Sequence, residues 1–198
     1  MNQEYVFDTL AEKVYKSFLE DSLLIVEDHT KRVVGCVGEL AERFDIDVEK
    51  AKTAALLHDI SGLVPNVGRI EYCRSNNIDL LEEELSFPLI THQKISRFMA
   101  KNDWKVDDEE VLSAIGCHTT LKKNPSQLDM LIFVADKLEW DQAHQAPFLQ
   151  ELKDGLDQSL EHAAYAYIDY MLKMGRLKVI HPWLAEAHEW LKVSLELT

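Results

Sequence analysis

Apolar residues recur every three or four positions along nearly the whole chain, and this helical period limits the folds that the chain can adopt. Leu10, Val14 and Phe18 form one such stripe, and comparable stripes follow over residues 33–44 and 128–138. Alternating segments joined by hairpin turns, which are typical of β-strands, are almost absent. We therefore predict an all-α fold, and at 198 residues a single domain with a sizeable core.

Capping and helix-breaking residues predict where the helices begin and end. Asp28 is the expected N-cap of the second helix, and Asp47 that of a third helix that ends before Gly62. One long helix is expected over residues 148–174, with an interruption at Gly155 left open. Shorter helices are expected over residues 67–75 and 88–100, and a final helix from Pro182.

The charge balance restricts the partners that this chain can bind. Its formal net charge of −14 repels nucleic-acid backbones, so an anionic substrate needs a bound cation as a bridge. No apolar run approaches the ~18 residues of a membrane span, and no secretory signal is visible. Three scattered cysteines, Cys36, Cys73 and Cys117, favour a reduced cytoplasm. We expect a cytoplasmic protein that binds neither nucleic acid nor membranes.

Two adjacent polar residues follow a stretch that should be buried. His58 and Asp59 come directly after the apolar residues 54–57, near the end of a predicted helix. Burying an ionised carboxylate is costly unless a cation compensates its charge, and a metal ion is the simplest compensation. The alternative for an isolated His-Asp pair is a local hydrogen bond for the histidine and solvent for the aspartate.

Further histidines and an aspartate make the pair part of a larger set. His29 lies at the predicted start of the second helix, and Asp136 follows the apolar residues 132–135. With His58 and Asp59 they supply two imidazoles and two carboxylates, which suits iron, manganese, magnesium or zinc. His92 and His118 each lie beside an amphipathic helix. Alone, each of these histidines would be interpreted as a core residue. Together with the other four candidates, both are interpreted as metal ligands.

The order of these residues, H…HD…H…H…D, resembles the HD-domain metal-dependent phosphohydrolases, and more narrowly the YqeK-type symmetrical diadenosine tetraphosphate hydrolases. The matching segments are residues 29–33, 56–59, 91–92, 118–120, 134–139, 175–176 and 180–182. The resemblance implies one HD-type helical domain over residues 1–198. Its metal-site core would cover about 22–142, with C-terminal helices over about 148–198 packed on that core.

The resemblance also implies a dinuclear centre, with iron as the expected metal and manganese, magnesium or zinc as alternatives. One ion would be held by His29, His58, Asp59 and Asp136, and the other by Asp59, His92 and His118, so that Asp59 bridges them. A hydroxide shared by the ions would be the nucleophile, which gives Asp59 and His58 catalytic roles through the metal. Thr119 is expected either to orient a neighbouring imidazole or to cap a turn.

Cations and an aromatic residue near these segments are the expected substrate contacts. They are Arg69, Lys122, Arg176 and Trp140, the last as a stacking partner for a nucleobase. The alternatives are solvated surface charges and core packing. The acidic run over residues 82–84 is expected to be a solvated face.

The chain departs from the family at four cationic positions. Gly62, Gly116, Met130 and Gln142 stand where family members usually carry Lys, Arg, Lys and Arg. Phosphate contacts made by such side chains stabilise the transition state, so their loss weakens the expectation of a polyphosphate substrate.

The expected function is metal-dependent hydrolysis of a nucleotide or dinucleotide polyphosphate, with symmetrical cleavage of diadenosine tetraphosphate to ADP as what the resemblance implies. One alternative is a nucleoside monophosphate phosphatase of the same superfamily, which needs fewer phosphate contacts. Another is a metal- or nucleotide-binding module with weak turnover. The expected partner is a small nucleotide, and a homodimer is left open.

Overall fold

The structure, a computed structural model, describes residues 3–140 and 146–197, with side chains from residue 7 onward. Within these residues the regular structure is helical and contains no strand, which confirms the all-α prediction. The α-helices are α1 (Gln3–Glu20), α2 (Leu24–Arg43), α3 (Val48–Leu57), α4 (Arg69–Ser75), α5 (Glu82–Ser86), α6 (His92–Asn102), α7 (Glu109–Cys117), α8 (Gln127–Leu138), α9 (Leu149–Leu156), α10 (Leu160–Lys173) and α11 (Pro182–Ser194). Short 3-10 helices cover Ile60–Leu63, Asn66–Gly68 and Pro88–Thr91.

Helices α3, α7 and α8 begin at side-chain caps and form the centre of the core. Asp47 accepts the backbone N–H groups of Glu49 and Lys50, both at 3.0 Å, as its predicted N-cap role requires. Ser126 caps α8 through the N–H of Asp129 at 3.1 Å. The residues of α8 from 130 to 135 are all buried, so this helix packs against neighbours on every side.

The start of α2 differs from the prediction. The helix begins at Leu24, and Asp28 is an exposed residue of its second turn that accepts from Arg32 Nε at 3.1 Å. Leu23 at the N-cap makes no side-chain cap, but it packs against the core together with Val26. Apolar packing therefore sets this boundary, and His29 lies inside the helix.

The predicted long helix over residues 148–174 is in fact two helices, α9 and α10. Ser159 separates them in an extended conformation and accepts the N–H of His162 at 3.2 Å as the cap of α10. A Cβ atom on Gly155 would lie 2.7 Å from the carbonyl oxygen of His162. Glycine is therefore needed where α10 folds back closely against α9, and both helices pack on α8.

The prediction of a solvated acidic face is wrong for Glu84, which is completely buried, whereas Glu82 is exposed. The carboxylate of Glu84 accepts from Lys94 Nζ at 2.8 Å and from the N–H of Leu81 at 2.8 Å, and it lies 3.3 Å from His181 Nε2. This cluster joins α5, α6 and the start of α11. The predicted helix over residues 88–100 is likewise split into a 3-10 turn and α6, which begins at His92.

Among the described residues, none of the helices combines the length and apolar character needed to cross a membrane.

Candidate metal centre

The predicted ligands come together at one end of the bundle, around a cavity of about 350 Å³. Four of them line its wall: His29, Asp59, His92 and Asp136. His58 and His118 are almost fully buried at 0% and 1% exposure, and they lie behind that wall. The six ligands predicted from the sequence are thus gathered in one place.

Helix ends place these side chains. His58 and His118 occupy the C-cap positions of α3 and α7, and His92 is the first residue of α6. Asp59 leaves the helical conformation, with φ −111° and ψ 19°. Consecutive residues of a regular helix point about 100° apart, so this departure at the terminus lets His58 and Asp59 converge.

All four imidazoles are oriented in the same way, by a backbone carbonyl that contacts Nδ1. The contacts are His29 to Glu139 at 3.1 Å, His58 to Ala55 at 2.6 Å, His92 to Leu89 at 2.7 Å and His118 to Ile115 at 2.8 Å. Because a carbonyl oxygen can only accept, each Nδ1 carries the hydrogen. Each neutral ring therefore presents an unprotonated Nε2 to the centre, as a metal ligand must.

The ligand atoms fall into two groups, and in each group they lie within 4.8 Å of one another. In the first group, His29 Nε2 lies 3.1 Å from Asp136 Oδ1 and 3.3 Å from His58 Nε2. In the second group, His92 Nε2 and His118 Nε2 are 2.9 Å apart, and each lies 3.6 Å from Asp59 Oδ1. The other oxygen of Asp59 lies 3.6 Å from His58 Nε2, so this carboxylate faces both groups.

Such an arrangement fits bound cations. Two pairs of Nε2 atoms approach each other, at 2.9 Å and 3.3 Å, although both atoms of each pair are acceptors in the neutral rings. Acceptors held this close repel unless a proton or a metal ion lies between them. Imidazole and carboxylate together form a donor set for a divalent transition metal.

Burial disfavours the charged form of two of the imidazoles. It lowers the pKa of His92, and it lowers that of His118 well below its usual range with help from the neighbouring His92 and His58. Burial raises the pKa of Asp136, but the charge of Lys137 outweighs it and holds that pKa well below normal, and His29 adds to this effect when its Nε2 is protonated. The shifts of His92, His118 and Asp136 thus favour the protonation states that bind metal.

Comparison with known proteins agrees with the ligand pattern. Residues 26–141 match the HD domain. The chain belongs to the HD-domain family. Its family is one of phosphohydrolases, and its named relatives are hydrolases.

Two curated relatives and one solved structure are similar to this chain over more than two thirds of its length. It is 47% identical over 150 residues, 76% of each chain, to an uncharacterized protein in the pepC 5′ region of Lactococcus lactis subsp. cremoris. It is 29% identical over 137 residues to a symmetrical bis(5′-nucleosyl)-tetraphosphatase of Bacillus subtilis, covering 68% of this chain and 71% of the relative. A predicted HD superfamily hydrolase involved in NAD metabolism, from Clostridium acetobutylicum, superposes with a TM-score of 0.83 at 28% identity, over 92% of this chain and 97% of that one.

Two of the predicted substrate contacts of this HD domain line the cavity. Arg69 is 7% exposed, and its Nη1 donates to the carbonyl of Leu89 at 3.2 Å. Its Nε is buried and has no hydrogen-bond partner among the described residues. Trp140 also lines the cavity, with its ring centroid 5.1 Å from that of Phe148 in an edge-on contact. It therefore packs on the core and faces the cavity as well.

The other two predicted contacts lie away from the cavity wall. Lys122 pairs with Asp129 Oδ2 at 3.0 Å and also donates to Ser113. Arg176 is exposed just beyond the end of α10. Neither side chain belongs to the cavity lining.

The four departures from the family's cations occupy different environments in this HD domain. Gly62 lines the cavity. Met130 is 1% exposed in the core, and a Cβ atom on Gly116 would lie 2.8 Å from Arg97 Cδ. Neither of these two lines the cavity, and Gln142 lies outside the described residues. Among the departures that the structure describes, Gly62 is thus the one that lines this wall.

Sequence reasoning missed two buried polar residues beside the ligands. Lys137 lines the cavity and donates to Asp136 Oδ2 at 2.8 Å. Gln93 is fully buried, and its Oε1 accepts the backbone N–H groups of Thr119 and Thr120 at 3.1 and 3.2 Å. A lysine inside the apolar run of α8 was a signal for the first. Nothing beyond adjacency to His92 pointed to the second.

Thr119 contacts the imidazole of His92 and not that of the adjacent His118. Its Oγ1 lies 2.9 Å from Nε2 of His92, and because that nitrogen is an acceptor, the hydroxyl donates. Thr119 also lines the cavity. It therefore lies at the face of His92 that would bind metal, and its role in catalysis stays a prediction.

Proposed function

We propose that this protein hydrolyses a nucleotide polyphosphate with two divalent ions, in the manner of the symmetrical bis(5′-nucleosyl)-tetraphosphatases. The observation that carries the proposal is the pair of ligand groups joined by Asp59, whose two oxygens face opposite groups. One ion would be held by His29, His58, Asp59 and Asp136, and the second by Asp59, His92 and His118.

Each protein group has a distinct task in this proposal. The bound ions would lower the pKa of a water molecule and withdraw charge from phosphoryl oxygens. Backbone carbonyls hold the imidazoles in the tautomer that binds metal, and Gln93 fixes the turn that follows His118. These contacts hold the ligands in place before substrate arrives, so little reorganisation accompanies the reaction.

Arg69 is the phosphate contact that we propose for the substrate. Its guanidinium lies in the cavity wall, and Nη1 is anchored to the carbonyl of Leu89. The planar guanidinium has five N–H donors, so donors beyond that contact can offer a phosphate oxygen a charge-assisted hydrogen bond. Trp140, at the same wall, offers an aromatic face or edge to a nucleobase.

A dinucleoside tetraphosphate is the substrate that the named relatives favour. Symmetrical bis(5′-nucleosyl)-tetraphosphatases of Bacillus subtilis, Staphylococcus aureus and Halalkalibacterium halodurans are 29%, 32% and 29% identical to this chain. A nucleoside monophosphate is the second candidate, because Gly62 lines the cavity where the family usually carries a lysine. We propose iron as the metal, and the cytoplasm as the compartment, in keeping with three free cysteines.

A hydrolysis screen tests the proposal. Protein loaded with iron or manganese is incubated with dinucleoside polyphosphates and with nucleoside mono-, di- and triphosphates. We expect ADP from diadenosine tetraphosphate, and loss of that activity in Asp59→Asn. Asp28→Asn is the matched control, because Asp28 is an exposed carboxylate beside His29. Release of phosphate from monophosphates alone would favour the second candidate, and no turnover of any compound would contradict hydrolysis.

A further inference from the structure

Lys137 is a buried cation that touches both ligand groups of the candidate centre. Its Nζ donates to Asp136 Oδ2 at 2.8 Å and to the backbone carbonyl of His118 at 2.5 Å. Asp136 belongs to the first group and His118 to the second. One ammonium therefore links the two groups through hydrogen bonds of its own.

The surroundings of Lys137 leave it few other partners. The residue is 4% exposed, and its Nζ lies 4.2 Å from the ring centroid of Phe133 and 5.8 Å from that of Tyr167. The ring faces attract the ammonium, but they do not replace its hydration, so a buried ammonium also needs hydrogen-bonding or charged partners. The carboxylate of Asp136 and the carbonyl of His118 supply that pairing, so the lysine and the ligands stabilise one another.

The charges of the centre explain why such a lysine is useful. Asp59 and Asp136 place two carboxylates among the four imidazoles of the two ligand groups. In the absence of metal, Lys137 and Arg69 are the cationic side chains that line this wall. Lys137 makes a direct hydrogen bond to a carboxylate there, whereas the hydrogen bond of Arg69 goes to a backbone carbonyl.

We propose that Lys137 is an internal countercharge that keeps the two ligand groups assembled before metal binds. The proposal rests on the proposed function in one respect, namely that these groups bind divalent ions. Once ions are bound, they supply positive charge to the carboxylates, and the contribution of Lys137 to stability becomes smaller. Lys137 is thus a positioning residue, and the metal-free protein folds with its ligands already in place.

Thermal unfolding with and without metal tests this role. We expect Lys137→Met to lower the Tm of the chelator-treated protein by about 10 °C, since removing one partner of a buried ion pair is strongly destabilising. In manganese-loaded protein, the decrease in Tm caused by Lys137→Met should be less than half as large. Lys137→Arg, which keeps the charge, should retain most of the metal-free Tm, and Lys137→Gln should behave as the methionine variant does.

A second lysine–aspartate pair provides the matched control. Lys122 lies 3.0 Å from the buried carboxylate of Asp129, outside the cavity. We expect Lys122→Met to lower the Tm equally with and without manganese. Equal losses for Lys137→Met in the two states, or an unchanged metal-free Tm in Lys137→Gln, would overturn the proposal.

The outcome is separate from that of the hydrolysis screen. Manganese should raise the Tm of the wild type whether or not any tested nucleotide is hydrolysed, so a silent screen leaves the role of Lys137 intact. If manganese does not raise the wild-type Tm, the metal centre itself is contradicted. If manganese does raise the wild-type Tm, and Lys137→Met lowers the Tm equally with and without manganese, only the countercharge role of Lys137 is contradicted.

Discussion

Asp59 holds the most connected position among the candidate ligands. Its Oδ1 faces His92 and His118, and its Oδ2 faces His58, all at 3.6 Å. Burial raises the pKa of Asp59, but the charges that His58, His92 and His118 carry when protonated outweigh burial and lower that pKa to about 2. The carboxylate is therefore ionised at neutral pH.

We predict that Asp59→Ala empties both metal positions, because it removes the ligand that the two groups share. His118→Ala should chiefly weaken the second position and leave about half of the metal. Metal content per chain after reconstitution with iron or manganese and removal of free ions measures both effects, with Asp28→Ala as the control. Unchanged metal content in both variants would show that the ligands are assigned wrongly.

Arg69→Gln should raise KM for the nucleotide by about tenfold, since one charge-assisted hydrogen bond is worth roughly 1.4 kcal/mol or more. The Km effect should exceed the kcat effect if Arg69 binds ground state and transition state alike. Steady-state kinetics at fixed metal loading measure how the effect divides between KM and kcat. Arg97→Gln is the control, because Arg97 pairs with Glu109 on the surface. Equal KM values for Arg69→Gln and wild type would remove Arg69 from the substrate site.

Gly62→Lys should raise kcat/KM for diadenosine tetraphosphate by about tenfold, through one recovered phosphate contact. The backbone tolerates a side chain here, since a Cβ atom would lie 3.4 Å from Val26 Cγ1, an ordinary contact. Kinetics of the variant and of Gly62→Met, which adds bulk without charge, separate charge from shape. A lysine variant no better than the methionine variant would mean that the cavity is not arranged around a polyphosphate.

At the scale of helices, the buried cluster of Glu84, Lys94 and His181 ties the last helix to the one that carries a ligand. Lys94 lies two residues after His92 on α6, and His181 caps α11. The Nζ of Lys94 also donates to the carbonyl of Asp79 at 2.9 Å and lies 4.9 Å from the ring of Trp183. Three chain segments, residues 79–84, α6 and the start of α11, thus meet around one carboxylate.

Glu84→Gln should lower the free energy of unfolding by about 3 kcal/mol, because the ammonium of Lys94 then loses its buried counterion. Burial raises the pKa of Glu84, but His181, Lys94 and the N–H of Leu81 outweigh it, so the pKa is lowered from 4.5. The stabilisation is therefore present above pH 4.5 and is lost as the pH falls through the lower folded pKa.

Urea unfolding at pH 7 and again in acid measures the effect, with Glu82→Gln as an exposed control on the same helix. The difference between wild type and Glu84→Gln should shrink as the pH falls. A difference that is small at pH 7, or that grows in acid, would contradict the buried ion pair.

Helix identity could be predicted from the sequence because it depends on local period and capping. Asp47 shows this, since its cap lies within three residues. The failures come from contacts between elements. Gly155 allows a close approach by α10, Leu23 packs against the core, and Glu84 pairs with His181 97 residues away. None of these contacts lies within a single helix, so the period and caps of one helix do not predict them.

The ligand set could be predicted for a different reason. His58-Asp59 and Asp136 are polar residues at the ends of apolar runs, and their order along the chain is specific to a family. The carbonyls that orient Nδ1 and the bridging contacts of Lys137 depend on where helix ends meet in space. The domain limits and the contacts assigned to Lys122 and Arg176 stay predictions.

At the scale of the whole molecule, the charge of −14 and the cavity have to be considered together. An anionic substrate approaches a surface that repels it, and Arg69 and Lys137 are the cationic side chains in the cavity lining. One of these is already hydrogen-bonded to a ligand carboxylate. Bound divalent ions are therefore the main source of attraction for phosphate in this account.

Metal analysis of protein purified without chelators tests whether two metal ions occupy the two ligand groups. We predict transition metal approaching two ions per chain after reconstitution with iron or manganese, and close to none in Asp59→Ala. Less than one ion per chain, unchanged by reconstitution, would contradict the dinuclear centre.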